Sequence, residues 1–291
     1  MVSRVPASHA IAEEPDRDEA RRMALGAFLR ARRERLEPAR LGIAIKRRRR
    51  TPGLRREEVA QRAGVGVAWY TWLEQGRDIH PSRETLAFIA DALELDRAAR
   101  EHLLTLAGQT VSEPVDLATV RLPPSVRPVL AALDPNPAYV NDLRWNVLAW
   151  NAAADTVFGF SSLPEGERNS LLLMFTRASR FRVSDWERIA STMVAAFRLN
   201  IGPYMGDPSV EALLARLRTS SEFVRLWKRQ DVSVRRIGRK TVEHPRLGKL
   251  AFDHQAFVLV DAPALRLVVY TPVSGQQETI AAPSTRRGGR P

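Results

Sequence analysis

Residues 54–76 read LRREEVAQRAGVGVAWYTWLEQG, directly downstream of KRRRRTPG at 46–53. The spacing predicts two short helices, from about Arg55 to Ala63 and from about Val67 to Gln75, with Gly64 breaking the chain between them and Gly76 ending the second. Ala60 places a small side chain in the middle of the first helix, where another helix can pack close. Gly64 supplies a left-handed turn that a β-branched residue would resist. Val59, Ala63, Val65, Tyr70 and Leu73 then all face inward while the helices cross steeply. The outer face of the second helix stays free, and a DNA major groove is wide enough to admit it.

The flanking sequence extends this unit in both directions. Upstream, MALGAFLRARRERL at 23–36 sets Leu25, Phe28, Leu29 and Leu36 on one helical face, before Pro38, Gly42, Pro52 and Gly53 break the pattern into a long loop. Downstream, Ser82 is the N-cap of a helix with a buried stripe of Leu86, Ile89, Ala90 and Leu93. Asp96 caps a last helix that Gly108 stops. The first domain is therefore an all-α unit of five short helices over 23–108, with 1–22 as a disordered lead and the proline-bearing 109–124 as a linker.

After the linker the period changes. AYVNDLRWNVLAWN alternates apolar and polar residues around Trp145, Val147 and Ala149, which predicts two short strands joined by a turn. Residues 152–230 are mainly helical, and TVEHPRLGKLAFDHQAFVLVDAPALRLVVYTPV returns to strand, with Gly248 and Pro263 marking turns. Strands, helices, then strands predict an α+β domain with an antiparallel sheet over 125–273. The Gly- and Pro-rich end, 274–291, reads as a disordered tail.

Composition narrows the function classes. The 291 residues carry a net charge of +12 and no Cys, so disulfides, thiolate metal sites and thiol nucleophiles are excluded. Residues 21–108 hold 19 Arg or Lys against 11 Asp or Glu, which is +8 of the +12 in under a third of the chain. A concentrated positive field attracts polyanions, because each neutralised phosphate releases counterions. No apolar run is long enough for a membrane span and no secretory leader is visible, so the expected location is the cytoplasm. The five His show no metal-ligand spacing, no elbow serine accompanies Asp253-His254, and no glycine-rich phosphate loop exists. No enzyme, metal or cofactor is expected.

REEVAQRAGVGVAWYTWLEQGRDIHPSRETLAFIADALEL resembles the helix-turn-helix of xenobiotic-response-element and phage-repressor type regulators, with the Ala, Gly, Leu-Glu-x-Gly and Pro-Ser elements in register. The fuller TPGLRREEVA…WYTWLEQGRDIHPS, with AYVNDLRWNVLAWNAAA, Glu167–Asn169, SEFVRLWKRQDV and the His244–Leu250 pattern, is similar to the branch with an MmyB-like ligand-binding domain. The resemblance implies a PAS-like second domain with an apolar cavity, and a long-chain fatty acid as the associated ligand. It also places base reading on Val67, Ala68, Thr71 and Trp72. Val67 and Ala68 offer only apolar contact, and Trp72 can equally pack on the Arg-rich loop. Phosphate contacts are expected from Thr51, Arg55, Arg56 and Gln61, from Gln75 and Arg77, and from Arg47, Arg48, Arg49 and Arg50. Glu74 reads as structural, solvated or paired with Arg.

In the second domain Trp145, Trp150, Phe158, Phe175, Trp186, Phe197, Phe223 and Trp227 bring more apolar area than a thin sheet requires. Each taken alone reads better as core; together, some can line a cavity for an acyl chain, with Arg168, Asn169 or Arg225 as donors to its carboxylate. The expected whole is a sequence-specific DNA-binding regulator, acting as a homodimer on double-stranded DNA and sensing a small apolar ligand. A DNA-tethered scaffold or antitoxin-like module is the alternative, with a ligand-modifying enzyme behind it for want of a nucleophile or base. Replacing Arg47–Arg50 with Gln is expected to weaken binding to all DNA and flatten its salt dependence, by roughly 0.9 in log–log slope for each phosphate no longer neutralised; an unchanged slope would remove this run from the interface.

Overall fold

The structure, a computed structural model, describes residues 17–43, 53–109, 115–175, 182–234 and 238–273. Among these, the N-terminal half holds five helices: α1 (Arg17–Arg35), α2 (Arg56–Ala63), α3 (Val67–Glu74), α4 (Arg83–Ala92) and α5 (Arg97–Leu106). Gly64 ends α2 with φ 66°, and its N–H returns to the carbonyls of Ala60 and Gln61. The Ser82 and Asp96 side chains accept from the N–H groups of Thr85 and Ala99, so both expected caps form. Val59, Ala60, Ala63, Tyr70 and Leu73 are buried in one core with Phe28 and Leu29 of α1, while Val65 packs against it half-buried.

Glu74 sets the angle of α3. Its carboxylate is fully buried and accepts from Arg33 Nε at 2.6 Å and from Arg56 Nε at 2.8 Å. Arg33 also donates to the carbonyl of Leu54 at 2.8 Å, so one guanidinium ties α1 to α3 and to the chain entering α2. Gly26 of α1 lies so close to the end of α3 that a Cβ there would stand 2.4 Å from the Glu74 carbonyl oxygen.

Helix α1 begins at Arg17, so residues 17–22, read as part of a disordered lead, are its first turns. The reason is tertiary: Arg17 pairs with Asp207 at 3.1 Å, and a Cβ at Gly206 would meet the Arg17 backbone at 2.8 Å. The rest of the expected lead, and the tail from 274, lie outside the described residues. Part of the expected linker is packed: Leu117 is buried in the second domain, and the Val115 N–H donates to the Tyr204 hydroxyl.

The second half contains α6 (Val126–Ala132), α7 (Ala152–Phe158), α8 (Ser170–Phe175), α9 (Trp186–Ile201), α10 (Pro208–Leu217) and α11 (Ser221–Lys228). Its strands are β1 (Ala138–Asn141), β2 (Val147–Trp150), β3 (Arg182–Val183), β4 (Gly238–His244), β5 (Gly248–Leu259) and β6 (Ala262–Pro272). They form an antiparallel sheet in the order β2-β1-β6-β5-β4-β3. Gly248 turns β4 into β5 as expected. Pro263 is already inside β6, and the preceding turn falls at Val260–Asp261.

Strand alternation divides the sheet's two faces. Ala138, Val140 and Leu265 face α6 through Val126 and Leu130. Tyr139, Asn141, Val268 and Tyr270 point the other way; Tyr139, Val268 and Tyr270 share a core with α7 and Phe160, and α9 lies across the same face. Beyond α9, the helices α10 and α11 build a further core around Phe197 and Phe223. Glu74→Gln leaves two guanidinium groups against a neutral amide and is expected to cost about 3–5 kcal/mol, read by urea unfolding; a cost near that of an exposed ion pair would contradict this role.

Candidate DNA-reading face and ligand cavity

The outer face of α3 is open. Val67 is 41% exposed and Trp72 40%, with Ala68 exposed between them. Thr71 is half-buried, and its hydroxyl donates to the Val67 carbonyl at 2.8 Å, which leaves its lone pairs for an incoming donor. The Arg77 guanidinium lies 5.6 Å from the Trp72 ring and donates to the Gln75 side chain at 3.0 Å, so Trp72, Gln75 and Arg77 form one exposed group. Arg55 and Gln61 are exposed on the α2 side. Arg56 is different: its Nε is engaged by buried Glu74, so it serves the fold of the head before any phosphate. Thr51 and Arg47–Arg50 lie outside the described residues.

In the second domain a cavity of about 270 Å³ lies between α9 and the sheet. From the sheet it takes Tyr139 and Asn141 of β1, Arg266 and Val268 of β6, His254 and Ala256 of β5, and Lys240 of β4. Ile189, Thr192, Met193 and Ala196 of α9 form the opposite wall. No Asp or Glu lines it among the described residues. Arg188 and Arg239 at its margin are paired with Asp185 and Asp253. Lys240 has no carboxylate partner among the described residues; its Nζ donates to the Tyr270 hydroxyl at 3.3 Å, and burial lowers its pKa to about 8. The amine is therefore still mostly charged at neutral pH, and an anionic partner would raise its pKa again.

Of the expected cavity aromatics, Trp145 lines this space and Phe158 lines a smaller adjoining one that shares Tyr139 and Lys240. Trp145 has φ 67°, a left-handed conformation that a bulky residue adopts only under constraint. The buried Asp142 carboxylate imposes it by accepting from the Asn146 N–H, the Asn146 amide and Arg144 across the turn. The remaining aromatics pack on one another. Phe175 meets Trp186 and Phe223 edge-on at 5.5 and 5.3 Å, and Trp227 stacks on Phe223 at 5.4 Å. Phe197 faces Trp145 from the helical core, and Trp150 sits against Phe160.

The three expected carboxylate donors are placed elsewhere. Arg168 Nε donates to the carbonyls of Phe160 and Leu163, with its guanidinium over Trp150. The Asn169 amide donates to the Arg144 carbonyl and to Asn146, and its oxygen accepts from the Leu171 and Leu172 N–H groups at the start of α8. Arg225 is exposed and bidentate with Glu187. The groups that do face the cavity were detectable as polar residues at inward positions of alternating strands, with Asn141 in step with Tyr139 and Arg266 in step with Val268 and Tyr270.

Helix α9 links the cavity to the head. Past Ala196 it carries Arg198, which is buried, donates to the carbonyls of Trp227 and Asp231, and lies 3.6 Å from the Trp227 ring centroid. The turn after α9 presses Gly202 against His102 of α5, where a Cβ would be 3.1 Å from the imidazole. Arg32 of α1 donates to the Gln230 carbonyl at 3.2 Å, and Arg35 pairs with Asp231 at 2.6 Å. Val232 is buried within the core of the head itself.

A helix-turn-helix head with an open reading helix, fused to an α+β domain enclosing a cavity, defines a DNA-binding regulator with a ligand-binding domain. Comparison by family bears this out: residues 40–103 match a helix-turn-helix domain, and residues 122–283, more than half of the chain, match the MmyB-like transcription regulator ligand binding domain. The chain belongs to the MmyB-like transcription regulators. A comparison with curated proteins finds no match.

The junction carries a pH dependence. Burial, then the nearby Arg198 and Arg32 charges, lower the pKa of His102 from 6.5 to about 3. Between those values the unfolded chain binds a proton that the folded chain refuses, so this contribution to stability is complete above pH 6.5 and is lost as pH falls towards 3. Urea unfolding from pH 6.5 to 4.5 is expected to show a slope, up to about 1.4 kcal/mol per pH unit, that His102→Leu reduces; the same slope in both proteins would disprove the assignment.

Proposed function

We propose that the protein is a cytoplasmic, sequence-specific transcriptional regulator of the xenobiotic-response-element type. It binds operator DNA as a homodimer and responds to an apolar molecule with an acidic head, a long-chain fatty acid. Val67, Ala68, Thr71 and Trp72 meet base edges, the first two by apolar contact with thymine methyl groups. Arg55, Gln61, Gln75 and Arg77 contact phosphates, joined by Thr51 and the Arg47–Arg50 run. Two heads spaced about one helical turn apart, roughly 34 Å, fit a two-fold operator.

The observation that carries the ligand reading is the position of α9. One helix walls the cavity over Ile189–Ala196 and, beyond it, holds the junction through Arg198 and Gly202. A ligand shifts the arrangement of the heads only if it binds one arrangement better than the other, and a wall shared with the junction provides that difference. Lys240 supplies the charge for an acidic head, and each buried methylene contributes roughly 0.8 kcal/mol.

Delipidated protein titrated with dodecanoic to octadecanoic acids is expected to gain about 2.7 kcal/mol of stability at a hundredfold excess over Kd. Lys240→Met is expected to bind about tenfold or more weakly, consistent with loss of a charge-assisted hydrogen bond. Absence of any thermal shift with every acid would sink the ligand assignment. The scaffold or antitoxin-like reading draws on exposed Phe257, Val258 and Val260 at the β5–β6 hairpin. A polypeptide that co-purifies stably, with no lipid released on denaturation, would decide for it.

A further inference from the structure

The cavity has polar groups at both ends of an apolar floor. At one end Lys240 stands with the Tyr270 hydroxyl. At the other, the Asn141 side-chain oxygen is buried and accepts from no donor among the described residues. A buried acceptor without a donor is costly, and the Val268 and Ala256 side chains on the same floor have none to offer.

The strand register separates these two ends. Asn141 is opposite Arg266, and Arg266 is opposite Val258, whereas Lys240 is opposite Phe252. Phe252 to Val258 along β5 is roughly 20 Å, shortened by side chains that reach inward from both levels. Between them lie Val268 and Ala256 on the sheet and Ile189, Met193 and Ala196 on α9. A simple fatty acid satisfies the cationic end and leaves Asn141 as it is. A diacid places a second acceptor against Asn141 and depends there on Arg266, whose Nη1 already donates to the Pro263 and Leu265 carbonyls.

We propose that the cavity selects a long-chain ω-hydroxy acid, with its carboxylate on Lys240 and its terminal hydroxyl donating to Asn141 Oδ1. This rests on the ligand-sensing reading above and specifies the far end of the ligand. Arg266, directly across from Asn141, lines the same end of the cavity. Chain length matters as much as the functional group, because only a chain that spans both levels engages both anchors.

The test is calorimetric titration of the delipidated full chain with hexadecanoic acid, 16-hydroxyhexadecanoic acid, hexadecanedioic acid, dodecanoic acid and 12-hydroxydodecanoic acid; a diacid that binds more tightly than the 16-hydroxy acid overturns the proposal. The 16-hydroxy acid is expected to bind about tenfold tighter than hexadecanoic acid, the gain of one buried hydrogen bond. The shorter hydroxy acid should show no such gain over dodecanoic acid. Asn141→Leu should abolish the preference while retaining hexadecanoic acid. Hexadecanoic acid binding as tightly as its hydroxy derivative overturns the proposal and leaves the fatty-acid reading standing. Failure of all the acids to bind overturns both. The ligand comparison on the unsubstituted protein decides the matter even if Asn141→Leu does not fold.

Discussion

A single carboxylate holds the head in order. Glu74 sits at the end of the reading helix with no exposure to solvent, held by Arg33 from α1 and Arg56 from α2. A buried pair of Glu74 and Arg33, with Arg56 partly exposed beside it, is a poor source of net stability, but removing Glu74 would leave the Arg33 charge buried and uncompensated. The arrangement therefore acts mainly as a geometric rule. It permits one approach of α3 to α1, close enough that Gly26 touches the Glu74 backbone. The direction in which Val67, Ala68 and Trp72 project follows from that approach.

The head was legible because its constraints are local. Gly64, Ser82 and Asp96 act on neighbours within four residues, and the helical periods around them survive folding unchanged. The burial of Glu74 was less visible, since pairing it with Arg33 depends on a contact across forty-one positions of sequence. The first turns of α1 escape a sequence reading for the same reason: their polar composition suits solvent, but their packing partner is the distant Gly206.

In the second domain, the succession of strands, helices and strands and the alternation of β1 and β2 could be anticipated, and Trp145 does line the cavity, whereas its polar lining was missed. Aromatic richness pointed to Phe175, Phe223 and Trp227, which fill the helical core because rings stack well on rings. The cavity instead lies where ring packing stops and the sheet offers polar side chains such as Lys240 and Asn141. Asn169 and Arg168 were attractive as donors by chemistry alone. Their hydrogen bonds are consumed in fixing the β1–β2 turn and the chain ahead of α8, and that turn in turn holds Trp145 in its left-handed conformation.

Helix α1 is gripped near both of its ends by the other domain, through Arg17 on Asp207 and through Arg35 on Asp231. A rod fastened at two points has no free pivot. The two halves are thus joined side by side along α1, and not only end to end through the chain. Whatever moves one half carries the other with it as freight.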